Sequence, residues 1–170
     1  MNIGLLGFGV VGGGVWELAQ ENRALNVKKV LVRREAPPLG KAAVQDVEAI
    51  LRDTDIDTVV EVLGGLHPAY EWICRALAAG KDVVTANKAV ISAYYRELTA
   101  LAHENGAALR CTAAVGGGIP WLVNLQRCRR VDTVTEVGGI MNGTTNFIMD
   151  AMARQGADFP AVLQRAQELG

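Results

Sequence analysis

Two rhythms of apolar and polar positions run along this chain. Short, nearly continuous apolar runs stop at glycine, and between them lie longer stretches in which apolar residues recur every three or four positions. The first rhythm is that of parallel strands covered on both faces, the second that of amphipathic helices. Residues 1–6 form the opening run, which passes through Gly7-Phe8-Gly9-Val10-Val11-Gly12 into an amphipathic stretch at 15–21. Valine-rich residues 27–33 read as a second strand, and Ala36-Pro37-Pro38-Leu39-Gly40 breaks any regular element. Residues 44–51 have helical spacing with Asp46 as a cap, and 58–63 form a third strand ending at Gly64-Gly65. A helix follows from His67-Pro68 to Ala79, with Pro68 at its first position and Gly80 as its stop. A strand at 82–85, a helix at 93–105 closed by Gly106 and a strand at 107–112 complete the alternation.

Strict alternation of strand and helix predicts an α/β fold, a Rossmann-like doubly wound parallel sheet with right-handed crossovers. The pattern then changes. Gly116-Gly117-Gly118-Ile119-Pro120 leads into a helix to about Arg127, residues 133–140 read as a strand, and 145–154 and 160–169 read as helices. This predicts a dinucleotide-binding domain over 1–117 and, over 118–170, a linker helix with an incomplete α+β substrate and dimerisation domain. A lone strand at 133–140 is not a stable sheet. The chain is therefore expected to be truncated or completed by a second copy pairing with the exposed edges of that strand.

Composition narrows the function classes. With 170 residues, 50% hydrophobic and 21% charged, the chain can bury one good core. A net charge of −1 without a long basic block lacks the footprint of a nucleic-acid binder. The densest basic cluster, Arg127-Cys128-Arg129-Arg130, suits a helix C-terminus. No apolar run approaches the roughly 20 residues that span a bilayer, and the first residues lack a basic leader, so a cytoplasmic protein is expected. Cys74, Cys111 and Cys128 match no zinc or redox spacing and read as reduced thiols.

Candidate chemistry begins at the glycine turn. Gly7 permits a tight turn, Gly9 lets backbone approach a pyrophosphate, and Gly12 lets helix pack closely on strand, while the helix N-terminus offers free N–H groups to phosphate. NAD enzymes carry an acid at the end of the second strand to accept from the ribose 2′-hydroxyl. Here that position reads Val32-Arg33-Arg34, with Glu35 following both arginines. Guanidinium groups pair with a 2′-phosphate, so Arg33 and Arg34 point to NADP, with NAD the alternative. Thr85-Ala86-Asn87-Lys88 lies at the carboxyl end of a strand, where ligands bind in open α/β sheets, and Lys88 there can pair with an anion or carry a proton. Glu61, within the third strand, needs a partner that the sequence does not identify. Trp16, Trp72 and Trp121 read as helix residues packed on the sheet, and His67 and His103 as capping or surface residues.

Five blocks together resemble the homoserine dehydrogenase family: the Gly7 to Gly12 turn, Val59-Val60-Glu61-Val62-Leu63-Gly64-Gly65, Thr85-Ala86-Asn87-Lys88, Val115-Gly116-Gly117-Gly118-Ile119-Pro120, and Gly139-Ile140-Met141-Asn142-Gly143-Thr144-Thr145-Asn146-Phe147-Ile148. The glycine turn is generic, whereas the Ala-Asn-Lys, Gly-Gly-Ile-Pro and Asn-Gly-Thr-Thr-Asn blocks are specific. The resemblance implies interconversion of L-homoserine and L-aspartate 4-semialdehyde on the aspartate route to threonine and methionine. Beside the cofactor-binding Gly7, Gly9 and Gly12 of the turn, it implies Val10, Val11, Gly64, Lys88 and Gly170 at the cofactor, Lys88 also as the active-site lysine, and Asn142, Gly143 and Thr144 near the substrate. An N-cap role for Asn142 or Thr144 stands beside that assignment. A sodium-binding loop is implied at Val115, Gly117 and Ile119, where the family's acidic ligand corresponds to Thr112.

Family members continue past the equivalent of Gly170 with a Tyr-Ala-Glu segment, an Asp and a second Lys that bind homoserine and move the proton. The 170-residue chain is accordingly expected to bind cofactor without useful dehydrogenase activity. The resemblance also implies a homodimer in the full-length enzyme, a small-molecule substrate, and no nucleic-acid or membrane partner. Two rivals differ in class: an aspartate-dehydrogenase-like enzyme, against which the Asn142 to Asn146 block argues, and a stand-alone nucleotide-sensing module.

Overall fold

A computed structural model describes residues 1–34 and 36–169. The chain divides into two units, Met1–Leu122 and Val123–Gly170. In the first, β1 (Asn2–Leu6), β2 (Asn26–Leu31), β3 (Ala43–Val44), β4 (Thr58–Glu61), β5 (Asp82–Thr85) and β6 (Leu109–Arg110) form one sheet of order β3-β2-β1-β4-β5-β6. Every pairing is parallel, with Leu5 opposite Val60 and Glu61 opposite Thr85. This is the strand order of dinucleotide-binding folds, and it reverses between β1 and β4. The carboxyl ends of those two strands therefore border the crevice where such folds take ligands.

Apolar runs became strands because both faces are covered. Ile3, Leu5, Val27, Val30 and Val60 pack with Ala19 of α1 (Val10–Glu21) and half-buried Trp16 on one side. Leu6, Leu31, Val59 and Val83 pack on the other with residues of α2 (Glu48–Leu51), α3 (Ala69–Ala78) and α4 (Lys88–Glu104). In α3 the fully buried Ile73, Ala76 and Leu77 recur at helical spacing, and each large aliphatic side chain so buried contributes about 1.5–3 kcal/mol. The helix stops at Gly80, whose φ of 71° closes its carboxyl end.

Several elements differ from the sequence expectation. Residues 44–51 do not form one helix: Ala43–Val44 joins the sheet as β3, and only Glu48–Leu51 is helical. The residue that caps it is Val47, without a side-chain bond; Asp46, expected as the cap, stands one position earlier and accepts from the Glu48 N–H at 2.9 Å. The helix expected at 93–105 begins at Lys88, because the Asn87 side chain accepts from the Val90 N–H at 3.3 Å and starts the helix there, and Tyr94 marks a kink. Pro68 precedes α3 rather than opening it.

The second unit contains most of α5 (Trp121–Cys128), then α6 (Gly143–Gln155) and α7 (Phe159–Leu169), with a small core of Ile148, Ala151, Val162 and Ala166. The strand expected at 133–140 does not form. Among the described residues no strand lies beside it, so its backbone has no ladder to join, and the sheet edges expected to drive dimerisation are absent as well. No helix among the described residues is long and apolar enough to cross a membrane. The three cysteines are free thiols, and burial pushes those of Cys74 and Cys111 up.

Candidate dinucleotide site

A cleft of about 700 Å³ opens at the carboxyl ends of β1, β2 and β4. Its floor is the glycine turn. Gly7 has φ 106°, a conformation that side chains disfavour. A Cβ on Gly12 would stand 2.3 Å from the Gly7 carbonyl oxygen, so α1 can approach β1 this closely only with glycine there. Nothing lies within 4 Å of a Cβ built on Gly9, so this backbone faces open space. The α1 N-terminus has no side-chain cap and no acidic residue in its first turn. Its positive end and its free N–H groups remain available to an anion. Val10 is 95% exposed at this end and Val11 is also exposed, although both begin a helix whose later residues pack on the sheet.

Arg33 and Arg34 leave the end of β2, are exposed, and line the same cleft as Gly7, Gly9 and Gly64. The structure thus brings together Gly7, Gly9, Arg33, Arg34 and Gly64. It also adds to the lining His67, expected as a capping or surface residue, Pro68, expected as the first residue of a helix, and Trp72, expected to pack on the sheet. The signal was present in their position just beyond the end of β4, on the side of the sheet where the strand order reverses. His67 Nδ1 lies 2.6 Å from Glu71 Oε1.

The buried Glu61 has three partners. Its Oε1 accepts from the Leu63 N–H at 2.8 Å and from Asn87 Nδ2 at 3.3 Å, and its Oε2 accepts from the Thr85 hydroxyl at 2.6 Å. Asn87 Nδ2 also donates to the Gly65 carbonyl at 2.7 Å, and the Asn87 N–H donates to Thr85 Oγ1 at 2.9 Å. The loops after β4 and β5 are thereby tied through one carboxylate. Lys88 follows as the first residue of α4, exposed and outside the lining of the cleft. A cation at the positive end of a helix works against the macrodipole, so helix stability does not account for it.

Asn142, Gly143 and Thr144 lie in the second unit, where Asn142 Oδ1 accepts from the Thr145 N–H at 3.0 Å and caps α6. Thr112, Val115, Gly117 and Ile119 lie in the turn after β6. This turn offers a cation only neutral oxygens. The Thr112 and Ile119 carbonyls already accept from Val115 at 3.1 Å and Trp121 at 2.7 Å. Each carbonyl oxygen keeps a second lone pair, so these hydrogen bonds do not bar a hard cation from the turn. No cluster of three His, Cys, Asp or Glu suited to a metal occurs among the described residues. Gly170 and Glu35 lie outside the described residues.

Residues 7–112 match the family "Homoserine dehydrogenase, NAD binding domain", and residues 120–170 match "Homoserine dehydrogenase". The chain is 42% identical over 184 aligned positions to the homoserine dehydrogenase of Synechocystis, covering 100% of this chain and 42% of that protein. A homoserine dehydrogenase structure from Thiobacillus denitrificans superposes with a TM-score of 0.88 at 36% identity, covering 100% of this chain and 42% of that one. A hyperthermophilic archaeal homoserine dehydrogenase in complex with NADPH superposes with a TM-score of 0.83 at 25% identity, covering 99% of this chain and 61% of that one. This chain thus spans about 42% of the length of the curated relatives it matches.

Proposed function

The chain belongs to the homoserine dehydrogenase family, and from that premise we propose that it supplies the NADP(H)-binding part of an enzyme interconverting L-homoserine and L-aspartate 4-semialdehyde in amino-acid biosynthesis. The carrying observation is the cleft itself, in which an uncapped helix N-terminus, a glycine turn and two exposed arginines line one concavity at the strand-order reversal.

The nicotinamide cofactor, when bound, supplies the hydride chemistry. Gly7, Gly9 and Gly12 admit the pyrophosphate to the first turn of α1, where the N–H groups of Val10, Val11 and Gly12 receive it. Arg33 and Arg34 pair with the ribose 2′-phosphate and set the preference for NADP over NAD. Gly64 lets the backbone after β4 approach the other nucleoside. Lys88 carries charge or a proton beside the reacting carbinol. Within the second unit, the capping turn at Asn142, Gly143 and Thr144 offers polar groups of the kind an amino acid takes. The whole protein acts as a homodimer through its catalytic domain. Support for this comes from the second unit, where Ile140, Met141 and Met149 are exposed. For the 170 residues alone we expect nucleotide binding without homoserine turnover, since the matching relatives are more than twice as long.

Titration with NADPH and NADH, followed by tryptophan fluorescence, tests this reading because Trp72 lines the cleft. NADPH is expected to bind about tenfold or more tightly than NADH, with Arg33→Ala erasing most of that difference. Failure of both ligands to bind at millimolar concentration would sink the proposal.

A further inference from the structure

Glu61 is fully buried, yet it stands at the carboxyl end of β4, one position before the cleft lining begins at Val62. A buried carboxyl group is costly unless it is well hydrogen-bonded. This one engages donors from two separate loops: the Leu63 N–H after β4, and the Thr85 hydroxyl and Asn87 amide after β5. Stability alone does not require such a device, because apolar residues of similar volume often serve a core as well or better.

We propose that Glu61 is a positioning residue, clamping the Gly64-Gly65 loop to the start of α4 so that Gly64 and Lys88 hold fixed places beside the nicotinamide half of the dinucleotide. This rests on the dinucleotide-binding reading above. In a fold with this strand order each half of the sheet receives one nucleoside. The β1-β2 half carries Arg33 and Arg34 at its edge, and the β4-β5 half carries Gly64 and Lys88. The clamp bonds lie wholly within the second half. Asn87 is the hinge of the arrangement. Its amide nitrogen holds Glu61 and the Gly65 carbonyl, while its oxygen caps α4 at the Val90 N–H, so the carboxylate fixes where the helix bearing Lys88 begins.

In a Glu61→Gln chain one carboxylate acceptor becomes an NH₂ group, which must face either the Leu63 N–H or the Thr85 hydroxyl. Affinities for NADPH and for 2′,5′-ADP, which lacks the nicotinamide nucleoside, are measured on wild type and variant alongside thermal unfolding. NADPH is expected to bind about tenfold more weakly to the variant, while 2′,5′-ADP stays within about twofold of wild type. Removing a negative charge favours both anions electrostatically, so selective loss of NADPH reports geometry. Should Glu61→Gln fail to fold, Asn87→Ser decides, because serine still caps α4 but releases Glu61 and Gly65. An unchanged ratio of the two affinities in a folded variant overturns the inference, as does failure of both variants to fold. Wild type binding neither ligand would instead overturn the dinucleotide reading.

Discussion

The two units of the chain solve the problem of burial to very different degrees. In Met1–Leu122 six strands are covered on both faces by helices, and two apolar clusters bury large side chains completely. From Val123 onward the described buried apolar residues are Ile148, Ala151, Val162 and Ala166, two of them alanines. Ile140, Met141, Met149 and Leu169 are meanwhile largely exposed. A chain segment with so little apolar burial offsets little of its conformational entropy. The lesson is that the cleft at the glycine turn sits in the part of the molecule with a complete core, and the capping turn at Asn142 in the part without one.

Truncating one buried isoleucine in each unit probes that difference with the largest expected effect. Ile73→Ala should cost about 2–5 kcal/mol in the first unit, whereas Ile148→Ala should cost about 2 kcal/mol or less in the second. All three tryptophans precede Val123. Denaturation followed by fluorescence thus reports the first unit, and helical circular dichroism adds the second. Equal costs would remove the distinction. Next in size is a contrast inside the glycine turn. Gly12→Ala should destabilise by about 1–3 kcal/mol, because its Cβ meets the Gly7 carbonyl at 2.3 Å. Gly13→Ala, in open space within α1, should stabilise by about 0.5–1 kcal/mol. Destabilisation at both positions would show that the turn's tolerance is not set by the helix-to-strand approach.

Acid should produce the smallest effect, and in the first unit. The Arg75 guanidinium holds the Glu48 carboxyl below its ordinary 4.5, while Lys29 and the Asn2 N–H hold Asp53 and Asp57 below 3.8. As pH falls below those ordinary values the unfolded chain takes up protons before the folded one does, so acid favours unfolding. The contribution is whole above about pH 4.5 and fades as pH drops through the lowered values. Asp57→Asn should flatten this acid limb in the tryptophan-reported transition. A limb unchanged in that variant would remove Asp57 from the account.

Much of the first unit was legible because its signals are local. Gly7, Gly9 and Gly12 specify a turn through backbone geometry, and apolar runs such as Val59 and Val60 specify buried parallel strands. What escaped depended on partners far along the chain. Ala43–Val44 is too short to announce a strand and becomes one only because Val30 and Leu31 offer a ladder. Glu61 could be seen to need partners, but Thr85 and Asn87 are distant in sequence and meet it through the β4–β5 register. Residues 133–140 erred in the opposite direction. Their valines favour a strand, yet no neighbouring strand exists among the described residues to receive their hydrogen bonds. The turn at Asn142 was legible as a cap, since an asparagine before a helix has a local task whatever else it does.

Amide hydrogen exchange with and without NADPH tests most directly whether the strand-order reversal is where this chain takes its nucleotide. The account predicts slowed exchange at residues 9–13 and at Leu63, Gly64 and Gly65. It predicts no change at Asp53 to Asp57 or at Lys81 and Asp82, around the amino ends of β4 and β5. Protection at those amino ends, or confined to residues after Val123, would contradict it.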